Sequence, residues 1–192
     1  MERELVMTGI GGQGIQLAAQ VIARAALADG RAVQMFGSYG GMMRGGNTDA
    51  TLVVSDGTVE APPTIGSAWS AIVMHDQFAG PTLAKLTTGS IVVVNTDVCS
   101  SRPDEGRSTV VGVAANEIAD RIGNRLAASM VLTGAYAAST GLVSLESLTG
   151  AIAASLPSYR QKTVDVNVAA LRAGFESTQR DLVPAWRVEA RA

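Results

Sequence analysis

An apolar run that breaks into glycines and resumes at once with helical spacing leaves a chain few folds to choose from. Residues 4–9, ELVMTG, read as a core strand, and Gly9, Gly11 and Gly14 then fall into G-x-G-x-x-G spacing. Residues 15–29 carry apolar side chains at helical intervals up to Gly30, which suits a left-handed C-terminal cap. A strand feeding a helix through such a turn is the first half of a βαβ unit.

The rest of the chain continues that alternation. AVQMF reads as a second strand, followed by a loop over 37–47 that holds five glycines, then by the strand ATLVVSD and the Pro-rich connection EAPPTIG. SAIVMH leads into a helix predicted over 78–86, SIVVVN and STVVGV are further strands, and from Ala114 onward the pattern is almost wholly helical. Short β-branched runs with few polar positions suit parallel strands covered on both sides. The expected fold is therefore α/β: a doubly wound, Rossmann-like, mostly parallel sheet with helices on both faces and a helical C-terminal region. With no repeat or low-complexity linker, residues 1–192 read as one domain. Residues 182–192 read either as an extended tail, with Trp186 an apolar anchor for a partner, or as a frayed end.

Composition removes several classes of function. The formal net charge is −2 and no Lys/Arg block occurs, so the electrostatic footprint of a nucleic-acid or anionic-membrane binder is missing. One Cys, Cys99, rules out an internal disulfide framework. One His, His75, leaves no soft-ligand metal cluster, and an iron–sulfur centre normally needs four Cys ligands. Any one-electron carrier must then sit on another polypeptide. The start, MERELVMTG, lacks the basic and apolar regions of a secretory signal, so the expected location is cytoplasmic. Residues 126–145 carry no charge but are rich in Ala, Ser, Thr and Gly, and Gly141 should end the helix after about four turns. That segment reads as a helix buried on most sides rather than as a membrane span.

The first glycine loop presents backbone N–H groups and a helix dipole, which attract phosphate or carboxylate. An NAD site also requires an acid at the end of the second strand for the ribose hydroxyls. Asp29 lies before that strand, whose end reads Met35, Phe36, Gly37. The NAD reading loses its second contact. The second loop, GSYGGMMRGGN, should emerge beside the first at the carboxyl edge of the sheet. There Arg44 reads either as a bidentate anion clamp or as a surface arginine in a flexible loop.

The stretches GIGGQGIQLAAQVIARAALADG, SYGGMMRGGNTDATLVVSD, IVVVNTD, EIADRIGN and MVLTGAYAASTGLVSLESL together resemble the gamma subunit of 2-oxoacid:acceptor oxidoreductases. This group acts on pyruvate, 2-oxoglutarate, 2-ketoisovalerate, indolepyruvate or phenylglyoxylate. The resemblance implies a subunit of an enzyme that oxidatively decarboxylates a 2-oxoacid and passes the acyl group to coenzyme A. It places thiamine diphosphate on alpha and beta partner subunits and iron–sulfur clusters on a ferredoxin-like subunit, with electrons ending on ferredoxin or, through an added flavin subunit, on NAD. It also implies that this chain helps close over coenzyme A. On that basis Gly9, Gly11, Gly12, Gln13 and Gly14 of the first loop, with Ser38, Tyr39, Arg44, Gly45 and Gly46 of the second, are expected to contact either the coenzyme A phosphates or a neighbouring subunit. Two positions depart from the family pattern: Gly41 and Met42 stand where many relatives have Pro-Glu, and Ser129 where many have Asn.

Two other readings compete: a free-standing Rossmann-type nucleotide-binding dehydrogenase or module, and a non-enzymatic assembly protein that uses the loops for docking. Outside the loops the expectations are plainer. His75 reads as a hydrogen-bonded structural residue, Cys99 as a bystander thiol, and Asp97 as a turn former or a ligand acceptor. Tyr136 and Met130 read as core or subunit interface. On the first helix, Gln13, Gln16, Gln20 and Arg24 form a narrow polar stripe, and the broad small-residue remainder suits either an internal helix or one that packs on a second subunit.

Overall fold

The computed structural model describes residues 1–39, 45–62, 64–100 and 105–186. Six strands, β1 (Glu2–Ile10), β2 (Ala32–Tyr39), β3 (Asn47–Ser55), β4 (Ala68–Val73), β5 (Leu86–Asn95) and β6 (Ser108–Val113), form one sheet in the order β2-β3-β1-β4-β5-β6. The helices are α1 (Ile15–Ala28), α2 (Ala79–Leu83), α3 (Ala115–Arg121), α4 (Ala128–Thr140), α5 (Leu145–Ser155) and α6 (Val164–Glu176). Strands β1, β4, β5 and β6 pair in parallel, and β3 runs antiparallel to both β1 and β2.

The antiparallel strand reshapes the expected winding. Helix α1 carries the chain over β3 to β2, and the chain then folds back so that β3 fills the gap beside β1. Because β3 is reversed, its first residues lie level with the last residues of β1: Thr8 faces Asp49, Gly9 faces Thr48 and Ile10 faces Asn47. The chain leaves β1 toward one side of the sheet and later enters β4 on its other side, which makes the end of β1 the switch point where open α/β sheets place ligands.

The faces are unequally covered. Leu5 and Met7 of β1 point into a core built with α1, α3, α4, α5 and α6, while Val6, Val53, Val73 and Val92 face a smaller cluster closed by α2, Ile65 and the connection before β4. The predicted helix at 78–86 is shorter than expected: a 3₁₀ turn at Asp76–Phe78 precedes α2, and Leu86 already opens β5.

Every residue of α4 is buried, as its lack of charge implies. Its hydroxyls are satisfied one turn back: Thr133 donates to the Ser129 carbonyl at 2.8 Å and Ser139 to the Ala135 carbonyl at 2.7 Å. The Tyr136 hydroxyl meets Ser70 Oγ of β4 at 2.8 Å, so both Tyr136 and Met130 are core residues of this chain. Gly141 ends the helix at φ 59. Beyond it, the backbone amides of Asp181, Val183 and Ala185 donate to the carbonyls of Ala138, Ser139 and Thr140, so residues 181–185 satisfy the helix end rather than fraying. Trp186 is an anchor within this chain: its indole N–H donates to the Leu142 carbonyl at 3.0 Å, and the Arg31 guanidinium lies 4.1 Å from its ring centre. The small-residue surface of α1 is likewise covered internally, by β2 and β3 on one side and α5 on another. No helix among the described residues is long and apolar enough to cross a membrane.

Candidate functional site

The two glycine loops meet at the carboxyl edge of β1. The Gly11 amide donates to the Gly46 carbonyl at 2.8 Å, which ties the first loop to the start of β3. Within the first loop Gln13 folds back: its side-chain carbonyl accepts from the Ile10 amide at 2.9 Å, and its own amide donates to the Ile10 carbonyl at 3.2 Å. Gln13 therefore holds the turn shut. Gly9 must stay small, because a Cβ there would stand 2.7 Å from that same Gln13 oxygen. Gly14 adopts φ 80 and abuts Ser129 at the start of α4.

Other glycines of the edge are open. Gly12 and Gly45 sit at φ 100 and φ 83, and a Cβ at either would meet nothing within 4 Å. The N-terminus of α1 has no side-chain cap and no acidic residue in its first turn. Its first amides and dipole are thus free of competing negative charge, a surface suited to an anion. Ser38 and Tyr39 extend β2 rather than opening the loop, paired in register with Asp49 and Thr48. Arg44, with residues 40–43, lies outside the described residues.

Four oxygens at this edge were not singled out by the sequence reading. Thr8 Oγ1, Asn47 Oδ1, Thr48 Oγ1 and Asp49 Oδ1 are buried with no hydrogen-bond partner among the described residues. Thr8 is 0% exposed and Thr48 4% exposed. Leaving such a group unpaired costs about 1–3 kcal/mol. Residues opposite one another on paired strands share a face, so Thr8, Asn47 and Asp49 lie on the α2 side, where Asn47 Nδ2 also donates to Asp49 Oδ2 at 2.6 Å. Thr48 lies on the α1 side, its hydroxyl 3.8 Å from the point a Cβ on Gly11 would occupy. A cavity of about 210 Å³ opens beside Asp49 and is lined by Phe36, Thr51, Ile65 and Lys85 among others.

The remaining polar groups of the edge are committed to the fold. His75 Nδ1 accepts from the Gln77 amide at 3.1 Å, which starts the 3₁₀ turn after β4 and fixes the Nε2–H tautomer. Asp97 Oδ2 accepts from the amides of Asn116 and Glu117 at 2.7 and 3.0 Å, so it caps α3 from across the loop. Burial, and then the charge of Asp76, push the Cys99 thiol up to about 12, far from the range of a reactive thiolate. Asp29 is bound at the opposite end of the sheet, where it accepts from the amide and hydroxyl of Ser144 at 2.6 and 2.8 Å. That is the physical reason it is not a ribose ligand. A second cavity there, about 430 Å³, is lined by Asp29, Arg31, Arg180 and Trp186, with Arg31 lying over the Trp186 ring and Arg180 over Phe175.

Residues 4–177 match the family model described as pyruvate ferredoxin/flavodoxin oxidoreductase. This chain belongs to that family. Over 183 residues it is 30% identical to the 2-oxoglutarate synthase subunit KorC of Methanothermobacter marburgensis, a match covering 92% of this chain and 96% of the relative. It is 28% identical to the pyruvate synthase subunit PorC of Thermotoga maritima, covering 92% and 94%. Among solved structures, the gamma subunit of the keto/oxoacid ferredoxin oxidoreductase of Geobacter sulfurreducens superposes with a TM-score of 0.79 at 28% identity, covering 92% of this chain and 95% of that one. The family match does not favour the free-standing dehydrogenase.

Proposed function

We propose that this chain is the gamma-type subunit of a multisubunit 2-oxoacid:acceptor oxidoreductase that performs coenzyme A-dependent oxidative decarboxylation. The observation that carries this reading is the nearly end-to-end family match of a chain that has one Cys and one His in its whole sequence. Such a chain lacks the four Cys ligands that an iron–sulfur cluster normally needs, so the clusters belong on partner chains, and the resemblance assigns thiamine diphosphate to alpha and beta partners. The relatives above are named as subunits of a 2-oxoglutarate synthase and a pyruvate synthase, which agrees with the substrate being chosen on those partners.

On this chain, the contribution to chemistry is closure over coenzyme A. A phosphate of the cofactor fits the α1 N-terminus, where uncapped amides, the open Gly12 and the unpaired Thr48 hydroxyl supply donors and no first-turn carboxylate opposes it. Gly9, Gly11, Gln13 and Gly14 hold the turn that presents those amides. Gly45 and Gly46 flank it from the second loop and Ser38 and Tyr39 end β2 at the same edge, while Arg44 is the proposed bidentate contact. Bound there, coenzyme A supplies the thiol that accepts the acyl group, while this chain orients its charged end and excludes water.

In the assembled complex, Arg44→Ala is expected to raise the KM for coenzyme A about tenfold or more while 2-oxoacid decarboxylation without coenzyme A is unchanged. Steady-state kinetics on the reconstituted enzyme decides this, and an unaltered KM with intact assembly removes Arg44 from the cofactor site.

A further inference from the structure

The polar stripe of α1 divides in two. Gln20 and Arg24 are exposed, whereas Gln13 and Gln16, at the end that meets the glycine loops, are half-buried and engaged with the backbone. Gln13 closes the first loop on itself. Gln16 reaches further: its Nε2 donates to the Asp49 carbonyl of β3 at 2.7 Å, and its carboxamide lies so close to Gly37 of β2 that a Cβ there would overlap it. Across the ladder Gly37 faces Ala50 and Ser38 faces Asp49, so one side chain in the first turn of α1 meets both strands beside the points where the second loop leaves and returns. The tie from the Gly11 amide to the Gly46 carbonyl, by contrast, is made by backbone alone.

We propose that Gln16 is a positioning residue for coenzyme A: it fixes the roots of the second loop against the N-terminus of α1, so that groups from both loops meet the same phosphate. The inference rests on the gamma-subunit reading and the cofactor site above. Position 16 needs a side chain that donates, because the Asp49 carbonyl accepts from it. It also needs one without negative charge, because the first turn of α1 holds no acidic residue and a carboxylate there would oppose an anion at the helix end. Glutamine meets both demands. Gly37 is explained by the same contact: its backbone is not left-handed, so the obstacle to a side chain there is the Gln16 carboxamide and not the conformation of the chain.

Steady-state kinetics of the reconstituted complex with coenzyme A tests this. Gln16→Leu keeps the bulk and loses the donor, and is expected to raise the KM for coenzyme A about tenfold while kcat at saturating coenzyme A falls by less than about twofold. Gln16→Glu adds a repelling charge and should raise the KM further. Gly37→Ala displaces the carboxamide and should reproduce the Gln16→Leu effect, yet add little in a Gln16→Ala background, where the space is already empty. If both Gln16 variants keep the wild-type KM and only the Tm of the chain falls, or if Gly37→Ala acts with full strength in the Gln16→Ala background, Gln16 serves the fold alone and the proposal is overturned. Should Gly12→Ala raise the KM while the Gln16 variants do not, the cofactor site stands without Gln16. A wild-type chain that fails to assemble with the catalytic subunits overturns the gamma-subunit reading together with this one.

Discussion

Glycine does opposite work at two places in this molecule. Where α4 crosses α6, Gly134 lies on the backbone of Leu171 and Phe175, and Gly174 lies on Val131, each so close that an added Cβ would come well under 3.0 Å from a carbonyl oxygen. At the carboxyl edge, Gly12 and Gly45 have nothing within 4 Å of the same point. The polar groups follow the same division. The last carbonyls of α4 are met by the amides of residues 181–185, whereas four buried oxygens of β1 and β3 have no partner among the described residues. One region is finished within the chain. The other leaves buried oxygens without a partner among the described residues, which suits the proposed subunit role.

The contrast can be broken most forcefully at the crossing. Gly134→Ala or Gly174→Ala must push the two helices apart, and is expected to destabilise the chain by about 3 kcal/mol, read from urea denaturation. A loss under about 1 kcal/mol would mean that the helices are not in backbone contact. At the open edge Gly12→Ala meets no steric obstacle and suffers only its left-handed backbone, so a smaller loss of about 1–2 kcal/mol is expected in the same experiment. The coenzyme A affinity of the assembled enzyme should fall more visibly than stability does.

The smallest effect is a pH dependence carried by Tyr136 of the finished region and Cys99 of the edge. Burial raises the ionisation of Tyr136 and lifts Cys99 to about 12, both above the values of 10.0 and 9.0 that an unfolded chain shows. Each group ionises first in the unfolded state, so the stability it confers is full below pH 9 and is lost as pH climbs toward the folded-state values. Urea midpoints should decline from pH 8.5 to 10.5, and Cys99→Ser should remove part of that decline, a substitution whose ΔTm against pH is the check.

Local signals in the sequence were enough for the strand, glycine turn and first helix, for Gly141 as the end of α4, and for the burial of that uncharged helix. They also brought the two loops to one edge. They did not reveal that β3 slips between β1 and β2, because strand order is decided by pairings across dozens of residues and not by the pattern inside either strand. The same blindness hid the site's most informative atoms. Asn47, Thr48 and Asp49 look like the polar opening of a strand, and their meaning appears only once β3 lies reversed against Thr8, Gly9 and Ile10. Ser38 and Tyr39 belong to β2 for a related reason: the antiparallel partner extends the ladder past the glycine at 37. Trp186, which suited a partner's surface, is held by Arg31 and Leu142 of its own chain, a long-range contact with no local trace.

The central claim is that this chain completes a machine rather than being one. Purified alone, it is expected to give no 2-oxoacid-dependent reduction of a viologen acceptor, with activity appearing when the thiamine-binding and electron-carrying subunits are supplied. Turnover of a 2-oxoacid by the isolated chain would contradict the account outright.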